Sequence, residues 1–134
     1  MLHILVGIAT NLSLLYTINA QEFNLNPRLL RAVCWVESKH NPKAINLFDG
    51  PSPSYGLCQV KLETARFLKF RGTGKQLMHP RVNSYYAAKY LAYQLARYDY
   101  DWTKATIAYN HGHYCTFIGT GYLDMVTTAI KEGR

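Results

Sequence analysis

Apolar positions recur along this chain with the spacing of an α-helix far more often than with the alternation of a strand. The clearest run lies between two asparagine–proline pairs. Asn26-Pro27 places an N-cap residue before a proline at the first helical position. Asn41-Pro42 ends the run, because a residue preceding proline is pushed out of helical geometry. Between them Leu30, Val33 and Glu37 fall at i, i+3 and i+7 on one stripe. A carboxylate therefore continues the buried face of a predicted helix, directly after the apolar run Val33-Cys34-Trp35-Val36.

The same spacing predicts further helices. Residues 61–70 read as a short helix and "RGTGK", residues 71–75, as a turn. Pro80 opens a helix to about Tyr98, with Ser84, Ala88, Leu91, Leu95 and Tyr98 on one stripe. Asp101 caps a helix through Tyr109. Tyr122, Met125, Val126, Ala129 and Ile130 mark a last amphipathic helix. Residues 42–59, broken by Pro42, Gly50, Pro51, Pro53 and Gly56, form a loop with room for a short hairpin. The expected class is α+β but predominantly α-helical, in one domain, with a small irregular or β portion near residues 44–60.

The N-terminal segment carries two readings. "LHILVGIATNLSLLYTINA" has the apolar character of a secretory signal ending near Ala20. Leu12, Leu15, Tyr16 and Asn19 also keep the spacing of a buried first helix. Residues 1–20 are thus a signal peptide or a first helix. Asn11 and Ser13 interrupt the segment, and no stable membrane insertion is expected.

Composition narrows the class. Of the 134 residues 49% are hydrophobic and 17% charged, which describes a globular chain and excludes a disordered one. The formal charge of +7 favours an anionic partner. Cys34, Cys58 and Cys115 are an odd set, which gives no complete disulfide framework. Cys34 and Cys58 read as small buried apolar residues, with one bridge open to the chain if it is exported.

Only eight acidic residues are present, and most have ordinary roles at helix ends. Glu37 alone closes an apolar stripe. Desolvation there raises the pKa of a carboxyl, because the charged form loses water, and a carboxyl so tuned serves as a general acid. The competing reading is a buried ion pair with Arg31 or Lys39.

Several downstream pieces complete a pattern. They are Glu37-Ser38; Ser54-Tyr55-Gly56-Leu57-Cys58-Gln59; Thr64-Ala65; Pro80 with Asn83; Tyr90-Leu91; and Ala108-Tyr109-Asn110. In this order and spacing, over residues 15–118, the chain resembles the lytic transglycosylases of the soluble, goose-lysozyme-like type. The resemblance implies a lysozyme-like domain over residues 15–134 that cleaves peptidoglycan glycan strands, without cofactor or metal and as a monomer. It assigns Glu37 as catalytic acid/base, with Ser54, Gln59, Tyr109 and Asn110 lining the cleft. It also implies a periplasmic, envelope or secreted location, in a phage lysin, a secretion-system component or a wall-recycling enzyme. Gly56 would let backbone approach substrate closely. The chain departs from the family pattern at Leu62, His79, Cys58 and His111, none of which removes a catalytic group.

The residues leave other chemistries to weigh. Asp49 is the one plausible second carboxyl, and with a held water it would make a hydrolase instead. His111, His113 and Cys115 alternate as zinc ligands can, but a fourth ligand is missing and a turn is the commoner reading. "GTGK" lacks the first glycine and the Ser/Thr of a P-loop. Lys61, Arg66, Lys69, Arg71 and Lys75 with Phe67 and Phe70 read as a solvated face, not as a nucleic-acid surface. A non-catalytic, peptidoglycan-binding or assembly protein of the same fold is the remaining class, and the presence of Glu37 argues against it.

Overall fold

A computed structural model describes residues 2–134 of the chain, and its side chains from Leu12 onward. The order is α1 (Leu2–Glu22), α2 (Pro27–Ser38), β1 (Ile45–Asn46), β2 (Ser54–Tyr55), β3 (Val60–Lys61), α3 (Leu62–Phe67), α4 (Gly74–Leu77), α5 (Pro80–Arg97), α6 (Trp102–His111) and α7 (Thr120–Glu132). The strands form an antiparallel sheet in the order β1-β2-β3, with Ile45 opposite Tyr55 and Tyr55 opposite Val60. The architecture is mostly helical with a small sheet, as the periodicity and the broken loop imply.

Helix α2 lies at the centre. Leu30, Ala32, Val33 and Cys34 are fully buried, and the helix packs against α1, α5 and α7. The Asn26 side chain accepts from the Arg28 N–H and Pro27 follows it, so the predicted start holds. The helix ends earlier than Asn41-Pro42 suggests. Lys39 and His40 turn into left-handed geometry at φ 55° and 61°. The Ser38 hydroxyl takes the Asn41 N–H at 3.0 Å, which offers the backbone an alternative to another helical turn.

Helix α1 keeps the expected spacing, with Tyr16 and Asn19 buried and Leu12 and Leu15 half-buried. Its Asn19 amide donates to Ser84 Oγ on α5 at 2.6 Å, a buried polar link between two helices. The side chains of residues 2–11, where most of the signal-like pattern falls, lie outside the described residues. On α5, Ser84, Ala88 and Leu91 face the core as predicted. Gln94 replaces Leu95 there, and Leu95 and Tyr98 are half-buried at the edge. Met125, placed on the apolar stripe of α7, is 54% exposed.

Two expectations are corrected. The segment at 71–75 is not only a turn, because it starts α4. Thr73 Oγ accepts from Gln76 N at 3.2 Å while Gln76 Oε1 accepts from Thr73 N at 2.8 Å, a reciprocal cap. Cys34 and Cys58 are not free but form a disulfide, and Cys115 is the unpaired third. The odd count concealed a pair that joins α2 to the segment between β2 and β3.

That segment is fastened further. The Asn83 side chain accepts from Cys58 N at 2.9 Å and donates to Tyr55 O at 2.6 Å and Leu77 O at 2.9 Å. Ser38 donates to Leu57 O at 2.6 Å, and Tyr109 to Cys58 O at 2.7 Å. Gly56 sits at φ +79°, and a Cβ there would come within 2.6 Å of the Asn83 amide nitrogen. Its freedom serves this packing.

A crosslink closing a loop of this length stabilises by ~3 kcal/mol through the unfolded chain. The Cys34→Ala/Cys58→Ala pair should therefore lower the denaturation midpoint, with a loss of about 3 kcal/mol in denaturant titration. An unchanged midpoint would mean that the two thiols are not joined in the folded protein.

Candidate active site

The last turn of α2 carries Glu37 to the floor of a cleft of about 240 Å³. The walls come from four directions. Asp49 arrives on the β1–β2 loop, and Gln59, Val60 and Lys61 on and before β3. Glu63 and Thr64 come from α3, Tyr90 from α5, and Tyr109, Asn110 and His111 from α6, with Gly112 after it.

Glu37 is half-buried and forms no ion pair. Among the described residues the salt bridges are Lys61–Asp49 and Arg134–Glu132, so the pairing with Arg31 or Lys39 is not made. The partner is a neutral donor. Tyr122 Oη, from α7, donates to Glu37 Oε2 at 2.8 Å. Burial pushes the Glu37 carboxyl up to about 7, from an ordinary value near 4.5. The Tyr122 hydrogen bond and the Lys61 charge hold it down in part, and the Asp49 charge adds to the rise. A carboxyl with this pKa is both protonated and ionised in comparable amounts near neutral pH, as a group that gives and then takes a proton must be.

Sequence reasoning placed Tyr122 on an apolar stripe and missed this contact. The available signal was a buried tyrosine, which needs a partner for its hydroxyl, and a buried carboxyl, which needs a donor. Burial also pushes the hydroxyls of Tyr122 and Tyr109 well above the usual tyrosine range, so both are protonated donors.

The other expected site residues divide. Asn110 is exposed on the cleft wall. The Tyr109 ring lines the cleft, and its hydroxyl donates to the Cys58 carbonyl at 2.7 Å. Gln59 lines the cleft at φ 48°, with its amide donating to Ala44 O and Gly56 O, each at 3.1 Å. Ser54 is not brought to the cleft. It is buried behind Gln59 and donates to Gln59 Oε1 at 2.8 Å. Ser54 and Gln59 thus shape the wall by satisfying each other and the loop backbone. Asp49 reaches the cleft, where the Lys61 ammonium lies 3.6 Å from its carboxylate.

His111 and His113 stand with ring centroids 4.6 Å apart, but among the described residues no three His, Cys, Asp or Glu side chains converge in a metal-ligating set. Among the described residues no helix is long and apolar enough to cross a membrane.

Known proteins resemble this arrangement. The family model of the transglycosylase SLT domain matches residues 15–117. Protein IpgF of Shigella flexneri is 31% identical over 94 residues, which cover 69% of this chain and 61% of that protein. The X polypeptide of Escherichia coli is 29% identical over 101 residues, covering 72% of this chain and 58% of that protein. The chain therefore matches about six tenths of the length of these relatives. Among solved structures, an inactive mutant of the lytic transglycosylase Slt from Pseudomonas aeruginosa superposes with a TM-score of 0.62 at 23% identity, over 82% of this chain and 17% of that one. The 70 kDa soluble lytic transglycosylase SLT70 of Escherichia coli gives 0.62 at 20% identity, over 87% of this chain and 18% of that one. The fold is thus one contained in the two Slt structures, and with its match over residues 15–117 the chain belongs to the transglycosylase SLT domain family.

Proposed function

We propose that this protein is a peptidoglycan lytic transglycosylase that cleaves the β-1,4 bond between N-acetylmuramic acid and N-acetylglucosamine, with Glu37 as its single acid/base. The observation that carries this reading is the Glu37 carboxyl, held near pH 7 by burial on the floor of a polar cleft and contacted by one tyrosine. Protonated Glu37 gives its proton to the glycosidic oxygen as that bond breaks. The acetamido group of the substrate stabilises the anomeric centre from the other face. The carboxylate so formed takes the proton of the muramic 6-hydroxyl as its oxygen attacks. The product is a 1,6-anhydro sugar, and no water enters. The nucleophile is already tethered in the substrate, so the protein has only to hold the ring in place.

Asp49 favours a second reading because it lines the same cleft. A hydrolase of the inverting kind would use it as the base for a water. Its pairing with Lys61 and its place on a Gly/Pro-rich loop support a structural or peripheral role instead. The positive charge of the chain suits the anionic wall polymer and an envelope or extracellular setting.

Three outcomes test this reading. Mass analysis of peptidoglycan digested by wild type and Asp49→Asn should find anhydro ends from both, at similar rates. Reducing ends, together with an inactive Asp49→Asn, would make the enzyme a hydrolase.

Glu37→Gln should abolish cleavage and stabilise the fold at alkaline pH. A raised folded-state pKa means stability is fully present below pH 4.5 and is lost as pH rises through 7. The glutamine removes that loss, so the variant should gain about 3 kcal/mol at pH 8 and almost nothing at pH 4. A gain independent of pH in thermal melts would contradict the burial of a titrating carboxyl.

Tyr122→Phe removes the hydrogen bond that lowers the Glu37 pKa. The alkaline limb of kcat/KM, which should fall near pH 7 in wild type, should move upward in the variant. A limb that stays in place would mean the hydroxyl does not act on Glu37.

A further inference from the structure

The charge of this chain is unevenly placed. Residues 64–98 hold seven of the 15 basic residues and none of the eight acidic ones, so the formal +7 resides there and the remainder of the chain balances. This stretch is the end of α3, with α4 and α5. Among the described residues none of its cations is in a salt bridge. Like charges left without partners repel one another and attract an anion.

Beside them lies exposed apolar surface. Leu14 and Ile18, one helical turn apart on α1, are 50% and 52% exposed. Their ridge belongs to the folded domain, because Tyr16, Asn19 and Ala20 of the same helix are buried. Leu14 and Ile18 line a hollow of about 490 Å³ that is closed on its other side by His79, Pro80 and Arg81 at the start of α5. Ile18 and Arg81 also line a second hollow, of about 320 Å³, with Tyr85 and Tyr86. Aromatic contacts lead from there to further cations. Phe70 meets Tyr86 edge to face at 5.2 Å, and the Arg66 guanidinium lies 5.6 Å from the Phe70 centroid. The Lys89 ammonium lies 5.9 Å from the Tyr86 centroid and donates to Leu68 O at 2.9 Å. An apolar ridge, a band of tyrosines and a group of cations are therefore continuous. Glu22, the one acid of α1, ends the ridge one turn after Ile18.

This order selects the partner. A nucleic acid or another soluble polyanion offers phosphates but no apolar layer for Leu14 and Ile18. A bilayer with acidic lipids offers both, and tyrosines settle at the boundary between them. We propose that the face centred on Leu14, Ile18, Arg81 and Tyr85 docks the protein on an anionic phospholipid surface, with the ridge among the acyl chains and the cations at the headgroup phosphates. Docking of this kind is peripheral and needs no membrane-crossing helix. The two hollows share no residue with the Glu37 cleft, so docking and cleavage are measured apart.

Co-sedimentation of the full chain with vesicles provides the test. Vesicles of equal parts phosphatidylglycerol and phosphatidylcholine should carry the protein down, and phosphatidylcholine alone should not. Binding should weaken as salt rises. Leu14→Gln combined with Ile18→Gln should weaken it on the order of tenfold. Arg81→Gln should weaken it about fivefold, and Arg81→Lys, which keeps the charge, should bind as wild type does. Arg81 is exposed at a helix start, so its variants keep the test open if the α1 pair proves unstable. Equal binding to both vesicles, or full binding by both the α1 pair and Arg81→Gln, would overturn the docking face. Polyphosphate that displaces the vesicles and binds the α1 pair undiminished would make the partner a soluble polyanion. No vesicle binding, together with a dimer that the α1 pair dissociates, would assign the ridge to a second copy of the chain. None of these readouts uses peptidoglycan cleavage, so the docking face and the proposed activity stand or fall separately.

Discussion

A carboxyl partly withdrawn from water and given one hydroxyl as partner is the constraint on which this structure turns. An ionised Glu37 without a cation beside it is costly, and the protein lets the pKa rise instead of supplying a counter-charge. Everything nearby is arranged to keep that environment. Val33 and Cys34 bury the helix beneath it, α7 brings Tyr122 to it from 85 residues away, and the Lys61 ammonium lies 3.6 Å from the Asp49 carboxylate. A lysine free to approach Glu37 would lower its pKa and make it a poorer acid.

The opposite wall is built from backbone, and backbone needs partners. The segment from Tyr55 to Gln59 has little regular structure of its own. Asn83 satisfies two of its backbone groups and links them to Leu77 O, Ser38 and Tyr109 satisfy two more, and a disulfide ties it to the helix that bears Glu37. The residues read as substrate contacts because of their polarity are largely occupied in this way. Ser54, Gln59 and the Tyr109 hydroxyl act on the loop, and the loop acts on the cleft. Positioning of this kind holds the geometry of the cleft wall through supporting hydrogen bonds.

Helices with strong caps and regular apolar spacing were legible. Asn26-Pro27 and Asp101 start α2 and α6 where their side chains indicate, because capping is decided within three residues. Glu37 was legible for the same reason, since its stripe is local. What was hidden is long-range. The Cys34–Cys58 link, the Asn19–Ser84 contact and the Tyr122–Glu37 bond join residues 24, 65 and 85 positions apart, and no periodicity encodes them. The Thr73–Gln76 cap of α4 was local but masked by two glycines that read as a turn.

The central claim, that burial and not an ion pair sets the chemistry of Glu37, is tested most directly by its own titration. Carbon-13 NMR of the side-chain carboxyls, with the Glu37 resonance assigned by its absence in Glu37→Gln, follows that one group. The account predicts a midpoint near pH 7. A midpoint at or below the ordinary value near 4.5 would contradict it, and would mean that the carboxyl is solvated or paired with a cation in solution.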